Sequence, residues 1–134
     1  MTSEPQGTDS AGGATTILIV EDEESIRKLM SRMLQIQGYQ TLEACDGVEA
    51  LGLCEEYDGN INLIVTDIVM PKLTGKQLVQ ELRKNRQSFK VIFMSGYTGE
   101  EMMNGEDLGV EVAFIPKPFT AEVLAQKVKE VLDR

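Results

Sequence analysis

Short, continuous apolar runs alternate along the chain with stretches whose apolar residues recur at helical spacing. Thr16 to Val20, Gln40 to Ala44, the run from Ile61 to Asp67, Val91 to Met94 and Val112 to Ile115 predict five strands. Most are apolar at nearly every position, as strands covered on both faces are; Gln40 to Ala44 is the weaker one. Between them, Ile26, Leu29, Met30, Met33 and Leu34 mark one face of a helix that Gly38 ends. Asp46 with Glu49 predicts a capping box for a helix carrying Val48, Leu51 and Cys54. Thr74 with Gln77 does the same for a helix that turns Leu78 and Leu82 inward. Thr98 with Glu101 begins a fourth helix, kept short and weak by Asn104-Gly105 and Gly109. Thr120 opens the last, with Leu124, Ala125, Val128, Val131 and Leu132 on one face. Strands alternating with helices in this way predict an α/β fold, a doubly wound parallel sheet with helices on both faces.

Composition narrows the class. At 134 residues, 42% hydrophobic and 26% charged, the chain is sized and composed for one self-sufficient globular domain. Residues 1–14 are small and polar and read as a flexible leader or interdomain linker, leaving 15–134 as the domain. A net charge of −9 argues against direct nucleic-acid binding, which rests on clustered Lys and Arg. No stretch is long and apolar enough to span a membrane, so a cytoplasmic location without direct membrane contact is expected. Cys45 and Cys54 lack metal-ligand spacing and read as small buried hydrophobes. The chain holds no histidine, which excludes a phosphohistidine carrier, a His-based hydrolase or a His-ligated zinc protein.

The chemistry gathers at strand ends. In open α/β sheets, ligands bind outside the carboxyl ends of the strands, near the point where strand order reverses. There the first strand delivers Glu21 and Asp22, the third Asp67, the fourth Ser95 and the fifth Lys117. A carboxylate ending a buried strand is costly unless it is paired or used. Oxygen donors without histidine or cysteine favour a hard cation, and Mg²⁺ is the natural choice. With Lys117 and the Ser95 hydroxyl beside it, the set suits phosphoryl transfer, with Asp67 as the nucleophile. All of this converges only if the first, third, fourth and fifth strands lie side by side.

Four motifs then fall in order on the expected elements: Val20-Glu21-Asp22-Glu23; Asp67-Ile68-Val69-Met70-Pro71 with Gly75; Met94-Ser95-Gly96-Tyr97; and Lys117-Pro118-Phe119. On these the chain, from about Thr16 to Leu132, resembles a response-regulator receiver domain of the chemotaxis-regulator type. It most resembles receivers attached to hybrid sensor histidine kinases. The resemblance implies a flavodoxin-like sheet of strand order 2-1-3-4-5 and a signalling domain rather than an enzyme. It implies Asp67 as acceptor of phosphate from a histidine kinase or histidine phosphotransfer domain. It places Mg²⁺ on Asp22, Asp67, Glu21 (mainly through water) and the backbone carbonyl of Val69. Ser95 and Phe114 match the hydroxyl and aromatic switch positions, and Lys117 the lysine that pairs with the acyl phosphate. Lys117-Pro118 would be a cis peptide. A downstream protein would dock on the surface formed by the fourth predicted helix, the fifth strand and the last helix.

Each residue also has a bland reading. Asp22 can cap the first helix, Ser95 can be a turn residue, Lys117 a solvated lysine, Phe114 core and Asp67 a turn cap. Met30 and Met33 read as core, Met102 and Met103 as an exposed contact patch. Pro116 removes a backbone donor, which an edge strand tolerates. An aspartyl-phosphate phosphatase of the haloacid dehalogenase type would need a second aspartate where Val69 stands. A flavin-binding relative would want a Ser/Thr-rich loop where Glu21-Asp22-Glu23-Glu24 stands. A stand-alone single-domain regulator and a non-phosphorylated pseudo-receiver are the alternatives within the family. In the hybrid-kinase reading, this would be the cytosolic part of a membrane-anchored protein.

Overall fold

In chain order the elements are β1 (Thr16–Val20), α1 (Glu24–Ile36), β2 (Gln40–Ala44), α2 (Gly47–Glu56), β3 (Leu63–Asp67), α3 (Gly75–Arg83), β4 (Lys90–Ser95), β5 (Val112–Pro116) and α4 (Ala121–Leu132). The computed structural model describes residues 15–70, 72–86, 88–95 and 110–134. The predicted leader 1–14, the predicted helix from Thr98 to Gly109 and the Met102–Met103 patch lie outside the described residues. The five strands form one parallel sheet in the order β2-β1-β3-β4-β5. This is the arrangement that brings the candidate chemistry together. β5 is an edge strand, which accommodates Pro116.

Alternation along the strands divides the core in two. Leu18, Val20, Ile64, Val91 and Phe93 pack on one face with Ala50, Cys54, Leu78, Val79 and Leu82 of α2 and α3. Ile17, Ile19, Leu63, Val65, Ile92, Met94 and Ile115 pack on the other with Met30 and Leu34 of α1 and Leu124, Val128 and Val131 of α4. β1 and β3 are buried at every position, so polar groups at their ends are held in a poorly hydrated setting.

The caps form largely as the sequence predicts. Thr74 and Gln77 make a reciprocal capping box, and the Thr120 hydroxyl accepts from the Val123 N–H at 3.1 Å. Asp46 accepts from the Glu49 N–H at 2.8 Å, but the Glu49 carboxylate turns to the Cys45 N–H at 2.6 Å. Three expected core positions fail. The inward face of α1 centres on Met30, Ser31 and Leu34, which rotates Leu29 outward to 62% exposure. Burial of Gly47, Ala50 and Cys54 likewise turns Val48 to solvent. Cys45 lies past the end of β2 and is exposed, whereas Cys54 is buried. Ser31 is buried because Thr41 of β2 offers a partner, with the two hydroxyl oxygens 2.6 Å apart.

Candidate functional site

At the carboxyl end of the sheet, β1 and β3 deliver three carboxylates to one place. One oxygen each from Glu21, Asp22 and Asp67 lies within 4.8 Å of the others. Glu21 and Asp67 are buried and Asp22 is exposed. Backbone register sets this convergence: the Glu21 N–H donates to the Ala44 carbonyl at 3.1 Å, and Ile68 to the Met94 carbonyl at 3.2 Å. The Thr66 hydroxyl donates to the Asp67 carbonyl at 3.1 Å. Asp22 does not cap α1: the N-cap is Glu23, and its side chain makes no capping bond. The Glu23 N–H instead donates to the Glu21 carboxylate at 3.1 Å, folding the turn so that Asp22 faces the cluster.

Lys117 closes the site from β5. Its Nζ donates to Asp67 Oδ1 at 3.0 Å and to Glu21 Oε1 at 3.2 Å. The Lys117 N–H donates to the Ser95 carbonyl at 2.7 Å, tying the lysine to the end of β4. Lys117 is therefore not a solvated surface lysine. The Lys117-Pro118 peptide is cis, as the resemblance implied. Ser95 ends β4, buried, one residue beyond the register partner of Asp67. Phe114 is half-buried, and its ring stacks on Phe93 with centroids 5.8 Å apart. Val69 lies just beyond β3 and is exposed, two residues from Asp67. Gly96, Tyr97 and Pro71 of the motifs lie outside the described residues.

The electrostatics follow from crowding acids in a dry place. Burial raises the Asp67 carboxyl above its ordinary value; the bond and charge of Lys117 oppose this, and Asp22 adds to it. Burial also raises Glu21, helped by Asp67 and opposed by the Glu23 N–H and by Lys117. Burial pulls Lys117 down, but its bonds to Asp67 and Glu21 outweigh that and hold it above its ordinary value. Among the described residues, the Lys117 ammonium meets two of these three carboxylates, so the set fits a further cation. Its donors are all oxygen, which suits Mg²⁺.

The sign of the linkage is testable. Asp67 and Glu21 keep protons to higher pH in the folded chain than in the unfolded one. Their stabilising contribution is complete below the ordinary carboxylate range and is lost as pH rises through the raised values. Asp46, lowered first by the Glu49 N–H, runs the other way. So does Glu43, where burial is outweighed by bonds to Lys28, Ser31 and Arg27. The difference between wild type and Asp67→Asn isolates the site. Without metal, the variant is expected to gain thermal stability over wild type from about pH 4 toward about pH 7. A difference independent of pH would contradict the raised carboxyl.

Two supporting residues fill out the site. Arg27, which sequence reasoning missed, donates to the Glu21 carbonyl at 3.0 Å and from Nε to Glu43 at 3.3 Å. It lies one helical turn past the acids, the only sequence signal it offered. Gly75 carries the β3–α3 connection past β3: its N–H donates to the Ile68 carbonyl at 2.8 Å. A Cβ there would run into the Asp67 carbonyl oxygen and lie 3.1 Å from Phe93 Cε1. Gly75→Ala is expected to cost about 1–3 kcal/mol in urea unfolding, because backbone and a buried ring must move. A loss well below that would show that the connection yields freely.

Residues 17–129 match the response regulator receiver domain family. The chain belongs to that family. The sensor kinase CckA of Brucella abortus is 42% identical over 129 residues, covering 96% of this chain but 14% of that protein. The crystal structure of the receiver domain from hybrid histidine kinase CckA superposes with a TM-score of 0.74 at 39% identity, covering 87% of this chain and 98% of that one. The response regulator TrrA of Thermotoga maritima, in complex with Mg²⁺ and BeF, does so with a TM-score of 0.72 at 32% identity, covering 87% and 98%. This receiver domain thus spans a small part of the kinase it matches. The fold is the flavodoxin-like one of chemotaxis regulators, and the family is that of two-component signalling. Among the described residues, no helix is long and apolar enough to cross a membrane.

Proposed function

We propose that this receiver accepts a phosphoryl group on Asp67 from the phosphohistidine of a histidine kinase or histidine phosphotransfer domain. The observation that carries the reading is the single point where Asp67, Glu21, Asp22 and Lys117 meet. An Asp67 carboxylate oxygen attacks phosphorus, the P–N bond to the donor imidazole breaks, and its electron pair stays on that nitrogen. Lys117 already reaches Asp67 Oδ1 and is placed to follow charge onto the phosphoryl oxygens. Glu21, Asp22, Asp67 and the Val69 carbonyl would hold Mg²⁺, which supplies charge neutralisation and orientation for the incoming group. The chain acts as substrate and switch for other proteins rather than as an enzyme.

Switching is the second half of the proposal. Ser95, at the end of β4, answers the acyl phosphate, and Phe114 on the neighbouring strand follows. Packing against Phe93 gives Phe114 one definite starting position. The response biases the surface of β5 and α4, where a downstream protein docks. The identity to a sensor kinase supports the receiver of a hybrid kinase as the setting, with its location at the cytoplasmic side of a membrane. Residues 1–14 then serve as linker.

Beryllofluoride with Mg²⁺, followed by amide NMR, tests both halves. Shifts are expected at Asp67, Ser95, Lys117 and Phe114, spreading to α4. A spectrum unchanged at Ser95 and Phe114, with shifts at Asp67, would sink the switch and leave the acceptor. No change anywhere would sink both.

A further inference from the structure

We propose that the turn between β2 and α2 is a brace that positions the Val69 end of the Mg²⁺ site, with Gly47 as the positioning residue. The inference rests on the cation site proposed above. It concerns residues that hold no ligand themselves.

The segment between β3 and α3 carries Val69 and is pinned at intervals. Ile68 and Met70 are buried, while Val69 is 65% exposed between them. The Gly75 N–H closes the far end on the Ile68 carbonyl. Lys72 adopts a left-handed backbone with φ of 72°, unusual for a residue with a side chain, so something must hold it there. The neighbouring turn supplies the hold. Leu73 seats on Gly47: a Cβ on that glycine would lie 2.8 Å from Leu73 Cβ and 3.0 Å from Leu73 Cδ2. Lys72 Nζ reaches Asp46 Oδ2 at 3.5 Å.

The turn is itself fixed, so it can act as a stop. Asp46 caps α2 through its other carboxylate oxygen, and Glu49 holds the Cys45 N–H. Ala44, just before it, accepts the Glu21 N–H. One short stretch of chain therefore touches Glu21 through Ala44 and, through Gly47, Leu73 of the segment that carries Val69. Leu73 and Val69 are four residues apart in a connection anchored at both ends, so a methyl pushed against Leu73 displaces the segment that carries Val69. Outer groups that fix metal ligands change affinity by about 10–100-fold when altered.

The test measures Mg²⁺ affinity by calorimetry, with thermal stability recorded beside it. Gly47→Ala is expected to weaken Mg²⁺ binding about tenfold at a temperature where the variant is fully folded. Leu73→Gly, which removes the Cβ that lies 2.8 Å away as well as Cγ and Cδ2, loosens the same contact and is expected to weaken binding less. In the double variant, the alanine methyl at position 47 occupies space that Leu73 vacates, and affinity should exceed that of Leu73→Gly and return toward wild type. If Gly47→Ala does not fold, Leu73→Gly and the double variant carry the test. Affinities that stay at the wild-type value while thermal stability falls would overturn the brace alone and reduce Gly47 to a packing residue. So would a double variant that binds no better than Leu73→Gly. Wild-type protein that binds no Mg²⁺ would overturn both the brace and the cation site.

Discussion

Asp67→Asn is expected to abolish phosphorylation by a phosphohistidine donor and by acetyl phosphate, with the fold intact. The amide keeps the size of the carboxyl group and can still accept from Lys117. It removes the carboxylate proposed as the nucleophile and one of the three acidic charges of the cluster. Among the described residues, neither neighbouring acid is placed as Asp67 is. Glu21 is buried and committed to Lys117 and the Glu23 N–H, and Asp22 is exposed at the rim. Phosphate incorporation should drop below detection, while circular dichroism stays that of the wild type. Because one source of acid repulsion is gone, the metal-free variant should also melt at a higher temperature at neutral pH. A variant that still labels at the wild-type rate would move the acceptor elsewhere.

Lys117→Met is expected to produce the second largest effect, and it separates stability from chemistry. The methionine keeps most of the side-chain volume but leaves Asp67 and Glu21 without their shared ammonium. Removing one partner from a partly buried ion pair strands the other charges, so a loss of about 1–3 kcal/mol is expected near neutral pH. Both carboxyl groups should rise further, and added Mg²⁺ should restore more stability to the variant than to wild type. The phosphorylation rate should fall about 100- to 1,000-fold, the usual cost of losing one preorganised charge donor. Loss of stability with an unchanged rate would confine Lys117 to a structural role.

The strand ends were the most legible part of this molecule. Runs of apolar residues that stop at Glu21, Asp67, Ser95 and Lys117 announce both the buried strands and the chemistry at their mouths. What the runs could not supply was the pairing order, since hydrophobicity records burial and not the neighbour. The motifs supplied that through resemblance, and the sheet has that order. Helix faces were read less well. Leu29 and Val48 satisfy a helical period yet face solvent, because the centre of each buried arc depends on which sheet residues lie beneath it. Arg27 and Gly47 were invisible for a related reason. One acts on a backbone carbonyl and the other by having no side chain, so neither carries a chemical signature in the sequence.

Asp67 is the address at which the phosphoryl group is expected to be written. Wild-type protein incubated with acetyl phosphate and Mg²⁺, then proteolysed and sequenced by tandem mass spectrometry, gives that address. We predict one hydroxylamine-labile phosphoryl adduct, dependent on Mg²⁺, on the peptide containing Asp67 and on that residue. An adduct on Glu21, Asp22 or a serine, or none under conditions that label a known receiver domain, would contradict it.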